Sequence, residues 1–249
     1  MEQIAIISDI HGNLPALETI LEEIRARDIV RIFCLGDMIG KGPSSDIVID
    51  ICNNQCEKII KGNHEEVICS VPLEDITDDL LAKMVEWHRI KIGETRLKML
   101  SLLENCVDIK MSGKNIRLLH ASPVNVWTRV HKKDNKEKHL SMFKNTEFTG
   151  FSNVPNIVGY GDIHSSYIEI IGEKILFNVG SVGNPLGKST KASFGIITGE
   201  YNSSTNEKLE IEIVKIEYDK DKAVMDAKES NLPGIELYIE EILTGIYRR

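Results

Sequence analysis

Gln3-Ile4-Ala5-Ile6-Ile7-Ser8-Asp9-Ile10-His11-Gly12-Asn13 starts as a short apolar run and breaks abruptly into acid, imidazole and amide side chains. The run reads as a strand over residues 3–8. Leu14, Leu17, Ile20, Leu21 and Ile24 then recur at helical spacing over residues 14–27. A second strand reads over 30–35, followed by a Gly/Pro turn, a helix over 45–53 and a third strand over 57–60. Strand, helix, strand, helix, strand is the order of an α/β protein with parallel strands and right-handed crossovers.

Further along, residues 73–104 read as mostly helical, with Gly93 as the weak point. Strands are expected over 107–111 and 116–119. Residues 124–150 are polar, carry the charge-dense run 131–139 and read as an excursion over the surface. Strands follow over 157–160, 167–171, 174–178, 193–198 and 209–218, and an amphipathic helix over 234–247. Without an internal repeat or a linker, residues 1–249 read as a single mixed α/β domain, with 73–104 a helical insertion and 124–150 an excursion flanking the site.

Composition excludes several functions. With 42% hydrophobic and 27% charged residues, the chain is ordinary for a globular protein. No apolar run approaches the ~20 residues that cross a bilayer, and no signal-peptide pattern opens the chain, so the expectation is a cytoplasmic protein without a membrane partner. A formal charge of −8 disfavours binding to a nucleic-acid duplex, but not a small phosphorylated substrate held through cations. The five cysteines form no C-x-x-C pair and read as reduced thiols.

The polar residues of interest fall at strand ends. Asp9 and His11 follow the first strand, Asp37 the second, and Asn63 and His64 the third. His120 ends the strand over 116–119, and Asp162 and His164 follow that over 157–160. Carboxyl ends of strands in open sheets are where ligands bind. Residues i and i+2 of an extended segment share a side, which would bring Asp9 with His11, and Asp162 with His164, to one place. Oxygen and imidazole donors without cysteine suit manganese, iron, zinc or magnesium and argue against a closed structural zinc. Asp37 can bridge, since a carboxylate has two oxygens.

Ser8-Asp9-Ile10-His11-Gly12-Asn13, Gly36-Asp37, Gly62-Asn63-His64-Glu65, His120 and Gly161-Asp162-Ile163-His164, in that order, resemble the calcineurin-like metallophosphoesterase superfamily. The likeness runs from residue 1 to about 217. Gly180-Ser181-Val182-Gly183-Asn184-Pro185 resembles a stretch of that superfamily's small bacterial and archaeal phosphodiesterase branch. The resemblance implies an αββα sandwich of two mixed sheets flanked by helices. It implies a phosphoester hydrolase with two metal ions and a metal-bridging hydroxide, acting on a small phosphorylated substrate such as a dinucleoside polyphosphate. Asp9, His11 and His164 would hold one ion, Asn63 and His120 the other, with Asp37 between. His64 would face the substrate as the catalytic group, and Lys41 and Asn13 are candidate substrate contacts.

Two positions depart from the superfamily pattern. Asp162 stands where the last motif usually has histidine. As a ligand it would place three carboxylates against two cations and favour manganese or iron (Fe3+/Fe2+) over zinc; alternatively it does not reach, and the second ion is weakly held. Gly40 and Lys41 replace the Asp-Arg pair of the protein serine/threonine phosphatases, which makes that activity, like a non-catalytic binding scaffold, an alternative rather than the first reading. Outside the motifs, His88 reads as a packed or surface residue, His131 and His139 as solvated, and Trp127 and Arg129 as residues that could border the pocket. Exposed apolar positions in the last helix would allow a homo-oligomer.

Overall fold

Both faces of the first strand are apolar, and that dictates the layering. In the computed structural model, which describes residues 1–248, β1 (Glu2–Ile7) directs Ile4 and Ile6 into one core and Ala5 and Ile7 into another. Period-two alternation in which neither face meets water gives an unbroken apolar run. On one side, α1 (Leu14–Ala26) buries Leu17, Ile20, Leu21 and Ile24. β2 (Arg31–Cys34), α2 (Ser45–Gln55) and the short β3 (Lys58–Ile59) follow, and β1, β2 and β3 pair in parallel as the element order requires.

The stretch after β3 is helical earlier than its pattern indicates. α3 (Asn63–Ser70) starts within the Gly62-Asn63-His64-Glu65 motif and buries Asn63, Glu65 and Ile68. With two polar residues on its inner face, it shows no apolar periodicity. α4 (Asp79–Ile92) and α5 (Glu94–Ser101) meet at Gly93, whose φ of +78° breaks the helix where expected.

A second sheet forms from β4 (Cys106–Met111), β5 (Lys114–Leu119), β6 (Ile157–Tyr160), β7 (Tyr167–Ile171) and β8 (Lys174–Asn178), in the order β4-β5-β6-β8-β7. β9 (Ala192–Gly199) returns antiparallel to β1, and β10 (Glu210–Ile216) pairs antiparallel with β9, giving the first sheet the order β10-β9-β1-β2-β3. Both sheets are mixed. Ile4, Ile6 and Phe33 of one meet Ile116, Leu118 and Phe177 of the other between the sheets.

Residues 124–150 do not simply wander over the surface. Val130, Met142 and Phe143 pack on the outer face of the second sheet against Val158, Tyr160 and Leu176. The buried Arg117, itself held by a two-point pair with Asp108 of β4 (2.7 Å each), ties this segment down through Asn145 Oδ1 (2.8 Å). His139, in the single short helix α6 (Lys136–Ser141), is buried rather than solvated, and its Nε2 lies 2.9 Å from the His131 carbonyl. His131 is exposed, as expected. The chain then adds α7 (Lys220–Glu229), unread in the sequence because its buried face is only Ala223 and Ala227, and α8 (Ile235–Thr244). Helices thus flank two mixed sheets. Among the described residues no helix is long and apolar enough to cross a membrane.

Candidate metal centre

Asp9, His11, Asp37, Asp162 and His164 share a conformation rare for residues with side chains: φ is 56°, 51°, 50°, 63° and 55°. These positions are left-handed, not extended. The expectation that alternation along an extended segment gathers them is therefore corrected: tight left-handed turns at the strand ends aim each side chain inward. Such backbone costs of order 1–3 kcal/mol per residue and persists only where surrounding bonds over-determine it. Here Asp9 N–H donates to Gly36 O (3.0 Å), His11 N–H to Asp37 O (2.9 Å) and Gly12 N–H to Met38 O (2.8 Å), zipping the first two loops together.

Gly161 joins the second sheet to this arrangement. A Cβ there would fall 2.0 Å from Ser8 Oγ and 2.5 Å from Asp9 Oδ2, so only glycine lets the loop after β6 approach. In that approach the Asp162 N–H donates to Asp9 Oδ2 (3.0 Å). The Gly180–Pro185 stretch supports the same turn: the Ser181 hydroxyl and Gly183 N–H both donate to Asp9 O.

Each of three imidazoles uses Nδ1 against a backbone carbonyl: His11 on Ile39 (3.2 Å), His120 on Leu35 (2.8 Å) and His164 on Asn184 (2.5 Å). A carbonyl only accepts, so Nδ1 carries hydrogen and Nε2 turns inward, available as a ligating atom. His11 Nε2 and His164 Nε2 lie 3.0 Å apart, with Asp9 Oδ1 3.2 Å from the latter. Two inward lone pairs at that distance repel unless a proton or cation lies between them. Asp9 Oδ1 is moreover buried without a hydrogen-bond partner. These donors fit a metal ion. Across the site, Asp37 presents Oδ2 to His11 Nε2 (3.7 Å) and Oδ1 to His120 Nε2 (3.6 Å), while Asn63 Oδ1 is 2.9 Å from His120 Nε2.

Among the described residues, possible ligand atoms gather as Asp9-His11-His164, as Asp9-Asp37-His120 and as His11-Asp37-His64. Asp162 stands outside these groups. One of its oxygens meets Arg129 Nε (3.3 Å) and the other is buried without a partner. The charges respond to the crowding. Burial, with His64 and His164 nearby, holds His11 well below the ordinary histidine value. Burial also lowers His120, but Asp37 and Asp9 outweigh it and push His120 up to about 9. Asp37 is raised well above the usual carboxylate range, chiefly by burial.

His64 sits at the start of α3, its N–H donating to Asp37 Oδ1 (2.8 Å) and its ring edge-on to His11 at 4.7 Å between centroids. Gly40, at φ +81°, makes room for it, since a Cβ there would lie 2.0 Å from His64 Nδ1. Glu65, which closes the Gly62-Asn63-His64-Glu65 motif, accepts the N–H groups of Asp37 (2.7 Å), Met38 (2.9 Å) and Gly62 (2.9 Å). Lys41 borders the cleft but is buried against Glu241 of α8 (2.6 Å). Asn13 is not brought to the cleft: its Oδ1 caps α1 at Ala16 N–H and its Nδ2 donates to Gly183 O. His88 is buried, 3.3 Å from Ser45 Oγ. The cleft over the ligands, about 200 Å3, is bordered by Asn63, His64, Arg129, Asp162, His164 and Tyr247. Arg129 and Trp127 do line the pockets here.

Residues 2–202 match the calcineurin-like phosphoesterase superfamily domain, and the chain belongs to that family. It is a metal-dependent phosphoesterase, and a small phosphorylated substrate is implied. The uncharacterized protein MJ0912 of Methanocaldococcus jannaschii is 30% identical over 237 residues, 92% of this chain and 93% of its own. The phosphodiesterase YfcE of Escherichia coli is 25% identical over 205 residues, 80% of this chain and 89% of its own. A metallophosphoesterase from Sphaerobacter thermophilus has the same fold, with a TM-score of 0.75 at 20% identity, over 98% of this chain and 99% of its own.

Proposed function

We propose that the chain is a phosphodiesterase with two metal ions, held as Asp9-His11-His164 and Asn63-His120 and bridged by Asp37. The observation that carries this reading is Asp37 itself, whose two oxygens face imidazole nitrogens on opposite sides at 3.7 and 3.6 Å. Bound cations would supply an acidified water near neutral pH and positive charge for the phosphoryl oxygens. The chain's own residues do the rest. Backbone bonds at the three Nδ1 atoms keep the imidazoles aimed inward, and Glu65 fixes the loop that carries Asp37. His64, on the cleft side of the ligands, is placed to hydrogen-bond a phosphoryl oxygen or give a proton to the leaving alkoxide. Asp162 acts through Arg129, which it orients toward the anion, rather than as a ligand.

With three oxygen donors, three imidazoles and no thiolate, the set suits manganese, iron or zinc, and manganese is the first ion to load. YfcE's description as a phosphodiesterase and the Gly180–Pro185 likeness favour a diester over a phosphoprotein. The burial of Lys41 against Glu241 also removes the charge that would stand in for a protein phosphatase's arginine. Nucleotides such as dinucleoside polyphosphates are the first substrates to assay. With manganese present, model diesters should turn over, and His64→Ala should cut kcat by roughly 10²–10⁴-fold while metal content stays the same. Unchanged turnover in that variant, or none in the metal-loaded protein, contradicts the reading.

A further inference from the structure

Beside the ligand cleft lies a larger cavity of about 400 Å3, within the range of small-molecule sites. The two share a wall made by Lys41, Asn63, His64, Arg129 and Tyr247. Beyond that wall the chemistry changes. Val67 of α3, Leu81 and Met84 of α4, Leu237 of α8 and Trp127 line the larger cavity. Trp127 and Tyr247 remain 50% and 47% exposed. Two large rings left half-uncovered beside an apolar cavity form a patch of the kind that marks a ligand-binding groove.

Arg129 links the two chambers. Its Nε meets Asp162 on the cleft side, and its guanidinium carbon lies 6.0 Å from the centre of the Tyr247 ring. Lys41 Nζ approaches the same ring at 5.1 Å. Leu237, Tyr247 and Arg248 all follow residue 202, so this side of the cavity is built by a part of the chain beyond the matched family domain.

We propose that the larger cavity binds a planar aromatic arm of the phosphoester, a nucleobase or aryl group, with Trp127 and Tyr247 providing the stacking surface. The proposal rests on the phosphodiesterase reading and gives it a substrate class. A phosphate or sugar arm would leave the apolar lining unused, whereas an aromatic one covers both the lining and the exposed rings. The shared wall keeps the phosphorus beside His64 while the ring lies away from the ligands.

Calorimetric titration of the manganese-saturated protein with phenylphosphonate and with methylphosphonate tests this. Phenylphosphonate should bind roughly tenfold more tightly than methylphosphonate, and Trp127→Ala, with Tyr247→Ala as a second variant, should shrink that ratio to within about threefold. A ratio near one in the unmodified chain, or a ratio unmoved in both variants, overturns the aromatic chamber. Failure of phenylphosphonate to bind overturns it as well. Failure of the phosphodiesterase reading shows separately, as absent metal uptake or absent turnover of a small diester on the same sample.

Discussion

Asp9, His11, Asp37, Asp162 and His164 come together because each sits in a tight left-handed turn at the end of a strand. Asp and His tolerate the left-handed region better than most residues, so nothing in their identity distinguishes an extended pair from two turns. The glycines that permit the turns were visible; the contacts they permit were not. Glu65 is the clearest case of a missed residue. It is 1% exposed, and three backbone N–H groups converge on its carboxylate. The only signal was its position three residues after Gly62, where a glutamate reaches back to the start of a helix. Glu65→Ala leaves those donors buried and unpaired, and should lower stability by about 2–4 kcal/mol and weaken metal binding together. Glu65→Gln, which keeps acceptor oxygen, should recover part of both. Urea unfolding and metal titration on the two variants check this, and a wild-type midpoint with wild-type metal affinity in Glu65→Ala would remove the positioning role.

Among the elements, α8 matters beyond packing. Glu241 on its buried face accepts from Lys41 Nζ (2.6 Å), from Asn184 Nδ2 (3.1 Å) and from the Arg248 N–H (2.9 Å). Asn184 O in turn receives His164 Nδ1. The last helix is thereby linked through two hydrogen bonds to His164, one of the candidate ligands. Lys41 and Glu241 lie 200 positions apart, so sequence spacing could not pair them, and Lys41 read equally well as a phosphate contact. Burial raises the Glu241 carboxyl, but Lys41 and its other donors prevail and hold it below the ordinary value of 4.5. A depressed carboxyl contributes stability in full above its unfolded value and loses it as pH falls through the folded one. Unfolding free energy should therefore fall on acidification below about pH 4.5 more steeply in the unmodified chain than in Glu241→Gln. At neutral pH, Glu241→Ala, which takes the paired carboxylate from the buried Lys41, should cost up to roughly 3–5 kcal/mol. Equal acid slopes in the two chains would show that this pair adds nothing to the pH dependence.

Over the whole molecule, the αββα layering followed from features that are local in sequence. The β1-α1-β2-α2-β3 order and the two-sided apolar strands needed no long-range information. Elements with polar or small inner faces escaped: α3 buries Asn63 and Glu65, and α7 buries two alanines. The docking of residues 124–150 escaped for a different reason. Their anchoring depends on Arg117, a charged residue in a strand, which is buried only because Asp108, Asn145 and Ser152 meet its guanidinium. Candidate ligands could be named from the sequence and their geometry only in part; Asp162, named with them, meets Arg129 and stands outside the clustered groups. The paired centre bridged by Asp37 is tested most directly by metal content after saturation with manganese and removal of free ion. About two ions per chain are expected for the unmodified protein and about one for His120→Ala, which loses the second position alone. One ion or fewer in the unmodified chain, or two retained at the same affinity in His120→Ala, would contradict it.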